Sequence, residues 1–395
     1  MSSAVPGFRA GSIGCGIKKG RARDLALIVS ETPAVVAGVF TRNMVKAAPL
    51  LLTMERVGGG ECRAVIINSG NANACTGKRG MGDAVRMAGE AAKGLGVEPE
   101  EVLVASTGVI GEPLPIDKLI KGTPRLVKKV SPSLAGWREA AEAIMTTDTF
   151  PKLVQEEGVI GGTPIRILGV AKGSGMIAPN MATMLAFVVT DAAIGQRELQ
   201  SVLRRAVKRS FNRITVDGES STNDTVLILA NGTAGNGRLR AGSAGLKQFS
   251  AMVEKVCLHL ATLIVKDGEG ATKLLEICVK GAKSEGDAVK AAKGIANSLL
   301  VKTAFFGEDA NWGRIMAALG SAGVEIEPDR VNIFLGAIPI VRRGVATGRE
   351  GEAAKVLRER EIKLTVDLRV GDGEAAVMTT DLSYDYVRIN GSYRS

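Results

Sequence analysis

The sequence predicts an α+β fold with layers of helix and sheet. Short strands rich in β-branched residues alternate with helical patterns, and the connections between several of the strands are long enough for crossovers. Near the C-terminus an alternating strand runs into a Gly-Asp-Gly turn, which predicts an antiparallel hairpin: Leu364, Val366, Leu368, Val370 and Gly371-Asp-Gly373. A chain of 395 residues is long enough for one large layered domain and a smaller one.

In the first half, strands are predicted where short apolar runs are bounded by glycine or polar turns. These runs are residues 25–29, 35–40, 64–68, 102–105 and 165–170. Two helices lie between them. One begins at the N-cap and N1 pair Ser131-Pro132, and the other is Ala-rich, is capped by Asp83 and ends near Gly94.

The second half opens with a nearly continuous apolar run at 184–190, which predicts a buried strand. Apolar stripes at helical spacing then predict helices at about 196–211, 246–265 and 287–300. His259 lies on the flank of the middle helix, where a packing or surface role is more common than a catalytic one.

The chain has a single histidine, which limits its chemistry. One histidine cannot form a three-histidine zinc site, and no metal site is expected. His259 would also have to act as the base of any Ser/His/Asp or Cys/His arrangement. We therefore expect the catalytic base to be a different group.

The net charge of 51 − 41 = +10 is spread evenly along the chain, and aromatic residues make up 4%. Diffuse positive charge suits small anionic substrates, whereas few aromatics argue against a nucleic-acid platform. The densest basic run is interpreted as one solvent-exposed helix face: Arg204, Arg205, Lys208, Arg209 and Arg213. A non-catalytic basic binding module that uses this face is the alternative.

The pattern of cysteines and the absence of an apolar signal core predict a cytoplasmic location. The five cysteines are odd in number and form no CxxC pair, as expected for reduced thiols. Residues 1–20 contain no apolar signal core, and no run reaches the ~18 apolar residues of a membrane span. Neither a phosphate-binding GxxxxGK[ST] loop nor the GxGxxG spacing is present, so no nucleotide cofactor is expected.

The segment 172–191 is the most informative, because a glycine- and proline-containing loop runs directly into a buried strand at Ala182-Thr183. Threonine begins strands well, and this explanation stays open. Alternatively, the loop strains this peptide so that the Thr183 hydroxyl attacks the Ala182 carbonyl and the chain is cut. The α-amine released on Thr183 could then act as the base, with a cation such as Lys172 lowering its pKa.

Motifs along nearly the whole chain resemble the ornithine acetyltransferase family of arginine biosynthesis, also called bifunctional glutamate N-acetyltransferases. Each motif is weak alone, but their order is specific. They are Phe40-Thr-Arg-Asn-Met-Val-Lys-Ala-Ala-Pro49, Asn68-Ser-Gly-Asn-Ala-Asn-Ala-Cys-Thr-Gly77, Ser106-Thr-Gly-Val-Ile-Gly111, Met145-Thr-Thr-Asp-Thr149, the 172–191 segment, Phe211-Asn-Arg-Ile-Thr-Val-Asp-Gly218, Ser221-Thr-Asn-Asp224, Lys266-Asp-Gly-Glu-Gly-Ala-Thr-Lys273, Gly307-Glu-Asp-Ala-Asn-Trp-Gly-Arg314 and Asn390.

The resemblance implies an αββα sandwich of the N-terminal-nucleophile-like type with a smaller C-terminal α/β domain. It implies self-cleavage into an α chain, 1–182, and a β chain, 183–395, whose last ~100 residues form the smaller domain. Two copies of each would assemble into an α2β2 heterotetramer. No membrane or nucleic acid is implied.

The implied reaction moves an acetyl group from N2-acetylornithine to L-glutamate in a ping-pong mechanism through an acetyl-threonine intermediate. No cofactor is implied, and members differ in whether they also accept acetyl-CoA as a co-substrate. An amidohydrolase or aminopeptidase of the same architecture, in which water replaces glutamate, is the alternative function.

The resemblance also implies the site residues. Thr183 is the nucleophile, cleavage falls between Ala182 and Thr183, and Thr107 and Gly108 form the oxyanion hole. Substrate contacts carry over to Thr146, Lys172, Thr183, Glu269, Asn390 and Ser395. By residue type alone, 266–269 is better explained as a polar turn and 106–108 as a strand exit.

Overall fold

The structure is a computed structural model and describes residues 3–20, 22–178 and 184–392. Two sheets, one of eight strands and one of six, organise the chain. The first sheet and its helices comprise β1 (Phe8–Ile13), β2 (Leu25–Phe40), α1 (Ala48–Val57), β3 (Glu61–Asn71), α2 (Gly77–Leu95), β4 (Val102–Val109), α3 (Ile116–Lys129), α4 (Leu134–Ile144), β5 (Lys152–Ile160), β6 (Thr163–Lys172), β7 (Leu185–Thr190), α5 (Gln196–Arg209), β8 (Thr225–Ala230) and α6 (Ala244–Lys266).

The eight-stranded sheet is ordered β4-β3-β2-β8-β7-β6-β5, with β1 paired to β2. Strand β2 has 16 residues and belongs to both halves of the sheet. Its first part pairs with β1 and β3 and its last part pairs with β8, with a register shift between Val29 and Ala34. Such an irregularity lets a strand bend.

Alternate side chains of these strands point into different layers, as the two-residue period of a strand requires. One set from both halves of the sheet meets in a shared core that includes Phe8, Ile67, Phe187 and Leu227. The opposite set packs outward, against α2 and α3 from β2–β4 and against α5 and α6 from β6–β8. The layers are therefore helices, one half of the eight-stranded sheet, its other half, and helices again. The predicted αββα sandwich is confirmed.

The second sheet forms the predicted smaller α/β part, ordered β12-β11-β10-β13-β9-β14. Its elements are β9 (Leu274–Ala282), α7 (Glu285–Ala296), α8 (Leu299–Phe306), α9 (Trp312–Gly320), β10 (Asn332–Leu335), β11 (Ile338–Arg342), β12 (Val345–Ala346), α10 (Glu350–Val356), β13 (Glu361–Asp367), β14 (Gly373–Thr380) and α11 (Tyr384–Ser392). A separate apolar core joins Ile277, Val279 and Leu364 of the sheet to Ile295 and Leu319 of the helices.

The predicted C-terminal hairpin is wrong. Strands β13 and β14 do not pair with each other, because β9 lies between them, parallel to β13 and antiparallel to β14. The N–H groups of Val370 and Gly371 bond to the Gly281 carbonyl, so the turn crosses over the end of β9. The alternation of apolar and polar residues correctly predicted half-buried strands, but it carries no information on which strand pairs with which.

Several predicted boundaries also change. The N-cap of α4 is Ser133, which accepts a hydrogen bond from Gly136 N–H, because Ser131 is bonded through its backbone to Ala10. Asp83 lies inside α2 and does not cap it. The segments 25–29 and 35–40 are one strand, and the segment 287–300 divides into α7 and α8, with a cap at Ser298.

Helix α6 is long and apolar enough to cross a membrane by length and composition, but 56% of its most apolar window is buried inside the protein. Its apolar face packs on β5 and β6. His259, on this helix, is exposed. On neighbouring α5, Arg204, Arg205, Lys208 and Arg209 are exposed as predicted, and the last two pair with Glu285 and Glu254. The placement of Arg213 on this face is wrong, because the helix ends at Arg209 and the Arg213 side chain is only 16% exposed. Nothing here favours a basic binding module.

A buried ion triad joins the two halves of the chain. The Lys152 ammonium lies 2.7 Å from an Asp148 oxygen and 2.6 Å from an Asp267 oxygen, and the three side chains are 0–2% exposed. Asp267 also accepts hydrogen bonds from the backbone and hydroxyl of Thr149. A cation shared by two carboxylates is the arrangement that buried charge requires.

Lys152→Met should destabilise the protein by about 3–5 kcal/mol, because it leaves two carboxylates buried without their cation. Urea unfolding measures this change. The matched control is Lys255→Met, which removes an ammonium whose side chain is 69% exposed and pairs with Glu156; this variant should lose at most about 1 kcal/mol. Equal losses in the two variants would contradict a structural role for the triad.

Candidate active site

A small pocket gathers residues from the ends of β3, β4 and β6 and from the C-terminal helix. Its lining is Ala72, Thr107, Gly108, Ile110, Thr146, Thr147, Lys172, Gly175, Met176, Ser221, Thr222, Asn223, Glu269 and Asn390. The structure thus brings together the described residues singled out from the sequence: Thr107, Gly108, Thr146, Lys172, Glu269 and Asn390. Ala182, Thr183 and Ser395 lie outside the described residues.

Lys172 provides positive charge to the pocket. It is the last residue of β6, its side chain is 3% exposed, and its ammonium donates to the Thr146 hydroxyl at 2.7 Å and the Thr107 hydroxyl at 3.3 Å. Burial lowers the pKa of Lys172, although Asp148, whose nearest oxygen is 4.0 Å away, opposes this. Since the hydrogen-bond partners of this ammonium are neutral hydroxyls, it can attract an anionic substrate group.

Asp148 holds the backbone around Lys172 and Thr146. Its carboxylate accepts from Lys152 at 2.7 Å, from Gly173 N–H at 2.7 Å and from Thr146 N–H at 2.9 Å. Burial alone would raise the pKa of Asp148, but the ammonium groups of Lys172 and Lys152 outweigh it and lower the pKa to about 2. Asp148 is therefore ionised at neutral pH.

Glu269 provides the negative charge of the pocket. Its side chain accepts a hydrogen bond from Asn390 on α11 at 2.8 Å, and its backbone N–H bonds to the Ser174 carbonyl at 3.0 Å. A Cβ at Gly175 would lie 2.3 Å from the Glu269 carboxyl carbon, so glycine is required for this approach. With Lys172 and Glu269 both lining it, the pocket suits a small molecule that carries charges of both signs.

The loop that follows β6 is anchored through Asp217. The N–H groups of Met176 and Ile177 donate to its carboxylate at 2.6 and 2.8 Å, and the Tyr386 hydroxyl donates at 3.3 Å. Burial raises the pKa of Asp217, although the backbone N–H donors partly offset this. Met176 itself has a left-handed φ of 57°. The predicted glycine-rich loop is therefore held at Met176 and Ile177.

Thr107 and Gly108 lie at the end of β4, beside the end of β3. Gly108 has φ 132°, and a Cβ there would lie 2.4 Å from the Gly70 carbonyl carbon. Only glycine fits this close approach between parallel strands. The pair is therefore more than a strand exit, because it forms one wall of the pocket.

Asp224 holds the residue that follows Thr183 in the chain. Its carboxyl accepts from Met184 N–H at 3.0 Å, and its second oxygen is buried with no hydrogen-bond partner among the residues that the structure describes. Burial raises the pKa of Asp224 well above its ordinary value, although Met184 N–H partly offsets this. Burial therefore makes this carboxyl harder to ionise than an exposed aspartate.

The residues that position the site had no assigned role in the sequence analysis. Asp148, Asp224 and Asn223 fall inside matching motifs, but Lys152 does not, and its partner Asp267 is 115 residues away. A pairing between residues so far apart leaves no recognisable spacing in the sequence. Within the described ranges, no group of three or more His, Cys, Asp or Glu residues could hold a metal ion.

The Asp148 carboxylate should make the stability of the protein acid-sensitive. Since its folded pKa of about 2 is below the ordinary aspartate pKa of 3.8, its contribution is fully present above about pH 4 and is lost as the pH falls toward 2. The shift corresponds to about 2 kcal/mol. Urea unfolding of wild type and Asp148→Asn between pH 5 and pH 3 should show a shallower pH dependence in the variant, with Asp329→Asn, at an exposed position, as control. An unchanged slope in Asp148→Asn would refute this prediction.

Comparison with known proteins places this chain in one family. The family model described as ArgJ matches residues 9–395. The arginine biosynthesis bifunctional protein ArgJ of Geobacter sulfurreducens is 56% identical over 393 residues, which are 99% of this chain and 100% of that protein. The protein of the same name from Symbiobacterium thermophilum is 53% identical over 396 residues, covering 100% of this chain and 98% of that protein.

A solved structure agrees with these matches. The crystal structure of arginine biosynthesis bifunctional protein argJ from Bacillus halodurans is 44% identical with a TM-score of 0.51, over 52% of this chain and 98% of that chain. Identity at this level over nearly the full length, together with the family-model match, is decisive. The chain belongs to the ArgJ family.

Proposed function

We propose that this chain is a self-cleaving acetyltransferase of arginine biosynthesis that moves the acetyl group of N2-acetylornithine to L-glutamate. The observation that carries the proposal is the convergence of Thr107, Gly108, Thr146, Lys172, Glu269 and Asn390 on one pocket. Family membership supports it, since the relatives compared above are named arginine biosynthesis bifunctional proteins. The pocket and the family together favour acetyl transfer over the amidohydrolase or aminopeptidase alternative.

In the proposed mechanism, the Thr183 hydroxyl attacks the acetyl carbonyl while the Thr183 α-amine takes the hydroxyl proton. Thr107 and Gly108 supply hydrogen-bond donors to the oxyanion of the tetrahedral intermediate. The protonated α-amine then gives its proton to the departing nitrogen, so that ornithine leaves and acetyl-threonine remains. The amine of glutamate attacks this ester by the same steps in reverse, giving N-acetylglutamate.

The charges in the pocket fit the donor substrate. A substrate carboxylate can pair with the Lys172 ammonium, and the side-chain ammonium of ornithine can pair with the Glu269 carboxylate. Donor and acceptor are both α-amino acids, and one small pocket can hold them in turn. Binding of the donor and then the acceptor in the same pocket supports a ping-pong mechanism.

The sheet explains how a cut chain could remain folded. Strands β7 and β8 follow Thr183 in sequence, yet they lie between β6 and β2, which precede it. Cleavage would therefore leave fragments of 182 and 395 − 182 = 213 residues hydrogen-bonded through two ladders and joined by the Lys152–Asp267 ion pair. The Bacillus halodurans chain, 98% of which matches 52% of this one, has about the length expected for one such fragment.

The rest of the proposal concerns assembly and surroundings. Two copies of each fragment would form the α2β2 heterotetramer. No cofactor is needed, because the Thr183 hydroxyl and amine supply the nucleophile and the base, and acetyl-CoA would enter as an additional donor. The free cysteines, of which Cys62 and Cys257 are buried, are compatible with a reducing cytoplasm.

Thr183→Ala should remain a single chain on denaturing electrophoresis and should lose acetyl transfer by more than about 1,000-fold, because it lacks both the attacking hydroxyl and the new α-amine. Wild type and the control Thr163→Ala, which alters the first residue of β6, should give two bands of similar size. Glutamate should accelerate consumption of N2-acetylornithine by wild type. An intact, fully active wild-type chain would refute self-cleavage, and consumption unaffected by glutamate would favour the hydrolase alternative.

Gly175→Ala should raise the KM for N2-acetylornithine by about 10-fold or more, because the added methyl displaces the Glu269 carboxylate from its ion pair with the substrate. Cleavage should continue. The control is Gly82→Ala on α2, where a Cβ meets nothing within 4 Å. Steady-state kinetics with glutamate saturating provide the measurement, and an unchanged KM in Gly175→Ala would remove Glu269 from the substrate site.

A further inference from the structure

We propose that Asn223 is a positioning residue of the oxyanion hole. Asn223 follows the predicted cleavage site in the sequence, whereas the oxyanion-hole residues that it holds in place precede it. This inference rests on the proposed function. Asn223 lies in the segment before β8, lines the pocket and is 6% exposed. The sequence comparison assigned it no role.

Both N–H groups of the Asn223 amide are bonded to the ends of two strands. Its Nδ2 donates to the Ser106 carbonyl at 2.9 Å and to the Ala72 carbonyl at 2.7 Å. Its Oδ1 accepts from the Thr222 hydroxyl at 2.5 Å, which fixes the orientation of the amide, and its backbone N–H donates to Ser221 Oγ at 3.0 Å. A side chain whose hydrogen bonds are all made in one orientation is rigid.

The Ser106 carbonyl belongs to the peptide that leads into Thr107. The plane of this peptide sets where the Thr107 hydroxyl and the following N–H of Gly108 point. Ala72 lies directly after β3, the strand that packs against Gly108, so the same amide also fixes the neighbouring strand end. Asn223 therefore acts on the position of both proposed oxyanion donors through its bonds to the backbone at the ends of the two strands.

The next residue holds the other reaction partner. Asp224 accepts from the N–H of Met184, the residue after Thr183. Consecutive side chains thus fix the oxyanion-hole strand on one side and Met184, at the start of the segment that leads into β7, on the other. The bond from Asn223 to Ser106 spans 117 residues, and it joins the fragment after the cut to the fragment before it.

Oxyanion geometry affects both halves of the ping-pong reaction, because each passes through a tetrahedral oxyanion. Asn223→Ala should therefore slow release of ornithine and transfer of acetyl to glutamate by the same factor, about 10- to 100-fold. The KM values for N2-acetylornithine and glutamate should stay within about threefold of wild type. Asn223→Asp should lower both rates further, because a carboxylate oxygen would face two carbonyl oxygens.

The experiment measures the two half-reactions separately by rapid quench, on cleaved protein verified by denaturing electrophoresis. The matched control is Asn236→Ala, which removes a buried amide bonded to the backbone of Ala193 and Gly237, away from the pocket. This control should lose stability but keep both rates. If an Asn223 variant does not fold or cleave, the inference is tested by Asn223→Ser, which should show the same equal slowing.

Equal rates in wild type and Asn223→Ala, or slowing of one half-reaction alone, would overturn the role of Asn223. A fall in rate that Asn236→Ala reproduces would do the same, because it would reflect stability alone. Failure of the proposed function is distinguishable, since wild type itself would then transfer no acetyl group.

Discussion

The site depends on one buried ion triad, in which the Lys152 ammonium lies between the Asp148 and Asp267 carboxylates. Charges removed from water must be neutralised by close partners, so these side chains cannot move independently. Through Asp148 the triad holds the backbone of Thr146 and Gly173, and through Asp267 it holds Thr149. The position of Lys172 at the pocket follows from this framework.

The same framework explains how a catalytic site can be divided between two fragments of one chain. Lys172, Thr107 and Thr146 precede the proposed cut, whereas Glu269 and Asn390 follow it, and all five line one pocket. The interleaved order β2-β8-β7-β6 supplies the continuous hydrogen bonding that keeps them together. Buried polar contacts then set the finer geometry, because each has a single satisfactory arrangement.

Sequence patterns predicted elements well and their neighbours poorly. The apolar run at 184–190 and the stripes of α5 and α6 were found because burial leaves a periodic signal. The C-terminal hairpin was wrong because β9, about 80 residues earlier in the chain, takes the position between β13 and β14. Ser131 was likewise a good cap by type, but its backbone is bonded to Ala10 and the helix begins after Ser133.

The sequence by itself determined the fold class, the family resemblance and the residues that should carry the chemistry, because these follow from periodicity and from ordered motifs. It also excluded a three-histidine zinc site, since a chain with one histidine cannot form one. Only the tertiary structure decided that Lys152 joins Asp148 to Asp267 and that Asn223 holds Ser106. The partners of a buried charge or amide are chosen by proximity in the folded chain, and separations of more than 100 residues leave no local trace of that choice.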